Sequence, residues 1–209
     1  MERAEYAIKA TFLESCRSKS AYLLIGWPIY FVMYLITEQI PIEKCHVVHC
    51  ALDDLIPFNE YFVVFYCAWY VLIFGSLLYF FICDTKSFEQ LQIFIIITQV
   101  IAIITYIIYP TVQIGRPEIM NDNIFCSIMA WIYSVDTPTG VCPSLHVAYS
   151  LGVISVWTKK RGVSTTWKTF IVIMSVMICV SVLFVKQHSA IDVATAIIVG
   201  MAAECITRR

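Results

Sequence analysis

An all-α bundle that crosses a membrane several times is the fold class this sequence predicts, and three observations predict it. Of the 209 residues, 60% are hydrophobic and 14% charged, against roughly 45–50% and about 25% in soluble domains. Mean hydropathy is +0.79. The apolar residues fall in runs about as long as the roughly 20 helical residues that cross a ~30 Å hydrocarbon core, with most charges between the runs. The absence of low-complexity tracts, with only 7 Gly and 7 Pro, excludes disordered and fibrous classes. Net charge is −1, from 14 basic and 15 acidic residues, so no basic excess points to a nucleic-acid partner.

Taken in order, residues 1–20 carry Glu2, Arg3, Glu5, Lys9, Glu14, Arg17 and Lys19. Ile8, Phe12, Leu13 and Cys16 lie at helical spacing on one side, which predicts an amphipathic helix on the membrane surface. No short apolar stretch precedes a small-residue cleavage site, so the first span is expected to act as its own insertion signal. Six spans follow, over 21–37, 61–83, 91–110, 145–157, 169–185 and 188–206. The fourth is short in apolar residues, as expected of a helix that begins with functional polar groups at membrane depth. Alternate connections sort the basic residues. The N-terminus, 84–90, 158–168 and the C-terminus hold eleven of the 14, and the other side holds Lys44, Arg116 and Lys186. Basic residues in short loops stay on the cytoplasmic side, so both termini are expected there. No linker or repeat divides the chain, which reads as one membrane domain over 1–209.

Three polar segments then fall at the outer face. Arg116-Pro117 follows the third span, Pro143-Ser144-Leu145-His146 enters the fourth, and Lys186-Gln187-His188-Ser189-Ala190-Ile191-Asp192 enters the sixth. His188 and Asp192 are four apart, so on a helix the carboxylate meets one imidazole nitrogen and leaves the other free as nucleophile or base. An ionisable pair in an apolar span is costly and points to function; a polar pair that knits helices together is the plainer alternative. Pro143 suits a first helical turn and Ser144 a cap, which puts His146 near backbone N–H groups that attract an anion and in reach of general-acid work. Arg116 offers a planar, permanently charged donor for two phosphate oxygens, although alone it reads equally as a loop arginine. Together these residues describe a phosphate site that needs no metal and no other cofactor.

These motifs resemble those of the type 2 phosphatidic acid phosphatase superfamily. The resemblance covers residues 91–206, the expected catalytic core, and rests on Arg116-Pro117, Pro143-Ser144-Leu145-His146 and His188-x-x-x-Asp192 in that order. Two positions depart from the family pattern: Tyr109 stands where a lysine is usual, and Val182, after the matching Ser181, where an arginine is usual. With Lys186 two residues before His188, the pattern is closer to the inositol phosphorylceramide synthase-like branch. The resemblance implies attack by His188 on phosphorus with Asp192 orienting it, proton transfer by His146, and phosphate binding by Arg116, Ser144 and Lys186. It implies a lipid phosphate or pyrophosphate as substrate and a phosphohistidine intermediate. Transfer of a phosphorylated headgroup to a lipid alcohol is the alternative acceptor chemistry, and a transporter or scaffold with a decayed site is the alternative of another class. The expected location is a bacterial plasma membrane, with the site on the extracytoplasmic side and membrane lipids as surroundings.

The remaining features have plainer readings. Cys45-His46-Val47-Val48-His49-Cys50 superficially resembles a metal site but fits no closed-site template; a disulfide or reduced loop thiols are the expected state. Cys45, Cys50, Cys126 and Cys142 lie on the outer side in the six-span arrangement and permit two bridges. The 111–141 segment reads as a loop whose aromatic residues anchor at headgroup level, with Tyr109, Trp131 and Tyr133 alternatively lining a substrate entrance. The aromatic residues of the second span read as packing or lipid-facing groups.

Overall fold

Residues 19–119 and 123–208 are described by a computed structural model. Most of the expected surface helix therefore lies outside the described residues. A 3-10 turn, Lys19–Ile25, leads into α1, Gly26–Thr37, and eight α-helices follow in all among these residues. The others are α2, Ala51–Leu55; α3, Val63–Cys83; α4, Thr85–Ile108; α5, Ile124–Val135; α6, Leu145–Lys159; α7, Thr165–Phe184; and α8, Ala190–Thr207. Five stretches are long and apolar enough to cross a membrane: Ser20–Thr37, Glu60–Cys83, Thr85–Ile108, Thr165–Phe184 and Ala190–Thr207. Their flanks carry exposed large apolar side chains such as Val71, Ile108 and Ile198, far more than a soluble surface tolerates. The protein is a membrane-embedded helical bundle.

The fourth expected span is α6, whose 15 residues extend about 22 Å, short of a bilayer core. It sits centrally, packed on α3, α4, α7 and α8. Close approach is what small residues permit there. A Cβ on Gly152 of α6 would stand 2.7 Å from the Phe94 ring of α4, and one on Gly200 of α8 would stand 2.9 Å from Leu151. The core is continuous from Val63 through Phe80, Ile95 and Val153 to Ile178.

Caps explain where the helices begin. Asp84 accepts the Ser87 N–H at 3.2 Å, so α4 starts at Thr85 and absorbs the 84–90 stretch expected to be a loop. Ser164 caps α7 through the Trp167 N–H. Ser189 caps α8 in a capping box with Asp192 at the third position, so α8 begins two residues after His188 rather than at it. Each such cap stabilises a helix by ~1 kcal/mol. Near the ends of α3, α6 and α8 remote from the three motifs, Lys160 pairs with Asp84, and Lys159 and Arg208 share Glu204. At the motif end, His46–Val47 and Thr111–Val112 form β1 and β2, a parallel pair with His46 opposite Thr111. Thr139 bridges to Val112. The expected 111–141 loop thus contains a strand and a helix, α5.

Candidate active site

The three motifs meet at one end of the bundle. His146 is the second residue of α6, and Ser144 is the N-cap, with its hydroxyl on the Val147 N–H at 3.5 Å. Pro143 precedes the cap instead of opening the first turn, and its carbonyl accepts from the buried Tyr106 hydroxyl at 3.0 Å. The Ser144 N–H donates to the Asp192 carbonyl at 3.3 Å, which joins the start of α6 to the start of α8. The His146 and His188 ring centroids stand 5.8 Å apart at 61°.

The His188–Asp192 pairing forms across the cap rather than along a helix face. His188 Nδ1 lies 3.4 Å from Asp192 Oδ2, and the same oxygen accepts the Ser189 N–H at 2.9 Å. Asp192 is fully buried, and its other oxygen has no hydrogen-bond partner among the described residues. This holds one nitrogen of His188 to the carboxylate and leaves the other for chemistry. His146 packs against Tyr66 and Trp69 of α3 at 4.5 and 4.4 Å, and its buried Nε2 has no hydrogen-bond partner among the described residues. The packing reading of the α3 aromatics therefore applies here to a histidine as well as to the core.

Arg116 is largely occupied by its own loop. Its guanidinium donates to the carbonyls of Asp136 at 2.7 Å and Thr137 at 3.0 Å and to Gln187 Oε1, and lies over the Tyr133 ring at 4.8 Å. Its Nε and the Gln187 Nε2 are buried donors with no hydrogen-bond partner among the described residues. Gln187 was not singled out by sequence, although it adjoins His188 and lines the same cavity. Asp136 faces Arg116 and accepts from Tyr34 at 3.2 Å; burial pushes its carboxyl up, with Arg116 opposing.

Lys186 is placed differently from its expected role. Its ammonium donates to the carbonyls of Asp53 at 2.8 Å and of Ile56, so the charge is spent on fixing α2 and does not line the cavity. Ser144 likewise acts as a buried cap. Asp53, missed by the sequence reading, accepts from the Ser189 hydroxyl at 2.6 Å, the Ala190 N–H at 2.8 Å and the Cys50 N–H at 2.8 Å. Burial raises the Asp53 carboxyl, but the hydrogen bonds from Ser189, Ala190 and Cys50 outweigh it and hold it below the usual carboxylate value. Its only sequence signal was a position three residues after Cys50, where it closes a capping box on α2.

A cavity of about 750 Å³ opens from the two histidines, lined by His146, His188, Gln187 and many aromatic side chains. Trp131 lines it and is exposed. Tyr133 does not; its hydroxyl donates to the Val185 carbonyl at 2.7 Å, bracing the segment that carries His188. Tyr109 also lies elsewhere, stacked on His46 at 4.0 Å. Among the described residues, Cys45, Cys50, Cys126 and Cys142 are free thiols, and no three His, Cys, Asp or Glu side chains group closely enough to hold a metal ion. No family model, curated protein or solved structure matches the chain.

Proposed function

We propose that the protein is an integral membrane phosphohydrolase that removes phosphate from a lipid phosphate or pyrophosphate, with His188 as nucleophile. One observation carries this reading: two histidine rings meet edge to face with centroids 5.8 Å apart at the end of an aromatic cavity, one held by a buried carboxylate and the other with a nitrogen that has no partner among the described residues. In the proposed step the free nitrogen of His188 attacks phosphorus, and the bond from phosphorus to the lipid oxygen breaks. Asp192 stabilises the charge the imidazole acquires. His146, as imidazolium, gives its proton to the departing alkoxide, then takes one from the water that attacks the phosphohistidine and releases phosphate. The free amide donor of Gln187, which lines the cavity, is the group that meets a non-bridging oxygen, where charge builds up in the transition state; Arg116 does not line the cavity and acts from behind, by holding Gln187 Oε1. The likeness of the three motifs to the type 2 phosphatidic acid phosphatases supports the same assignment.

The finer topology belongs to this reading. The chain crosses six times, with α6 as a short central crossing and both termini cytoplasmic, and the site faces the extracytoplasmic side of a bacterial plasma membrane. Grouping of Lys159, Lys160 and Arg208 at the end away from the motifs supports this orientation. Headgroup transfer to a lipid alcohol is the second reading, favoured by the aromatic surroundings of His146, which disfavour water as acceptor. Phosphate release from a panel of lipid phosphates and diphosphates tests the proposal. We expect turnover that His188→Ala abolishes, and near-full activity in that variant removes the mechanism. Headgroup transfer without phosphate release selects the second reading.

A further inference from the structure

We infer that the cavity receives one hydrocarbon chain of the substrate sideways, through the slot between α1 and α3, and that Trp27, Phe74 and Tyr149 form a floor that sets how much of the chain is held. The inference deepens the proposed function and rests on it for the headgroup.

Five helices contribute to the lining, Tyr106 of α4 and a row on α5 among them, and on α1, α3 and α6 the row that leads away from the motifs ends at one residue. The member of each row farthest from the motif end is Trp27 on α1, Phe74 on α3 and Tyr149 on α6. Those three meet: the Trp27 ring lies 5.3 Å from Phe74 and 6.0 Å from Tyr149. The indole is fixed from behind, because its Nε1 donates to Gln92 at 3.1 Å and Gln92 in turn donates to the Leu23 carbonyl at 3.2 Å. The polar groups lining the cavity, Asp136, Gln187 and His188 among them, sit at the other end, where a phosphate belongs. The flank is open toward the apolar surface. Phe31, Tyr70 and Phe74 all line the cavity and are 59%, 50% and 48% exposed, so a chain reaches it from the bilayer without leaving apolar surroundings.

The depth follows from helix rise. Tyr34 to Trp27 on α1 is seven residues and Tyr66 to Phe74 on α3 is eight, which at 1.5 Å per residue gives about 10–12 Å. An extended chain with C–C bonds of about 1.5 Å advances roughly 1.3 Å per carbon, so about eight or nine carbons reach the floor. Because the chain comes from the bilayer and not from water, a methylene above the floor gains only the packing contacts of the cavity wall; those beyond the floor gain none.

The test uses alkylphosphonates from hexyl to hexadecyl, which cannot be hydrolysed, bound to the full-length protein in nanodiscs. The readout is the ratio of variant to wild-type Kd at each length, in which partition into the bilayer cancels. For Trp27→Ala we expect a ratio at or above one for hexyl and octyl chains, falling below one for dodecyl and longer ones, as the opened cavity accepts methylenes that the wild-type floor turns away. Phe74→Ala, at a half-exposed position, repeats the measurement without opening the core. A variant-free arm uses a phosphonate with a terminal diazirine on a nonyl chain, which is expected to label Trp27, Phe74 or Tyr149 in the wild-type protein. A ratio independent of chain length in folded variants, or labelling confined to side chains outside the cavity, overturns the inference. Phosphate release from the matching alkyl phosphates separates the two readings. Release with a flat ratio removes the floor and leaves the hydrolase, whereas a shifted ratio without release keeps the floor and removes the hydrolase.

Discussion

Asp53→Ala removes the group that fixes the start of α8 from outside the three motifs. The carboxylate accepts from the Ser189 hydroxyl, the Ala190 N–H and the Cys50 N–H, and Ser189 is the residue after His188 and the cap of α8. Hydrogen bonds to a charged acceptor contribute about 1.5–3 kcal/mol each. The three share one carboxylate and are not additive, so the expected loss is about 3–5 kcal/mol, the range for breaking a buried charged network. For a chain of this size that is roughly 6–20 °C in Tm. Phosphate release falls as well, because the His188 backbone loses the anchor of its neighbour. Asp53→Asn keeps an acceptor for the Ala190 N–H but sets an amide against the Cys50 N–H, so it falls between wild type and alanine. The pH sign is definite. The folded Asp53 carboxyl lies below its unfolded value, so its stabilisation is present above the unfolded pKa and lost as pH falls through the folded one. Wild-type Tm therefore declines on acidification through the carboxylate range, and Asp53→Asn shows a smaller decline. Thermal unfolding and phosphate release, each followed across pH, measure both effects. An Asp53→Ala protein with wild-type Tm and turnover would refute the clamp.

Two other substitutions test the packing around the site by thermal unfolding. Lys186 has φ 52°, in the left-handed region that favours glycine, and its ammonium ties down α2. Lys186→Ala loses the tie and keeps the strained backbone, whereas Lys186→Gly loses only the tie, so glycine is expected to exceed alanine in stability by about 1 kcal/mol. Gly152→Ala drives a methyl against the Phe94 ring and is expected to cost about 1–3 kcal/mol as overpacking; an unchanged Tm would show that α4 and α6 separate freely.

The membrane class, the long helices and the gathering of three motifs at one end were legible in the sequence because they rest on local rules. Apolar runs of spanning length produce helices wherever they occur, and a serine or aspartate before such a run caps it. Those rules place Ser144 and His146 at the start of α6 and Asp192 in the first turn of α8. At α6 they give the helix but not its place, since its 15 residues are packed centrally on four neighbours, and they fail over 111–141, where β2 is held by a strand that follows the first span. Only the tertiary structure decided which polar groups face the cavity. Lys186 and Gln187 are neighbours, yet the first turns to the carbonyls of Asp53 and Ile56 and the second to Arg116. Asp53 reaches Ser189 across 136 positions of chain, and the aromatic floor joins three helices that share no local pattern. Periodicity and capping act over a few residues, whereas the direction of a side chain at a helix end depends on which distant carbonyl or carboxylate the packed bundle brings within about 3 Å of it.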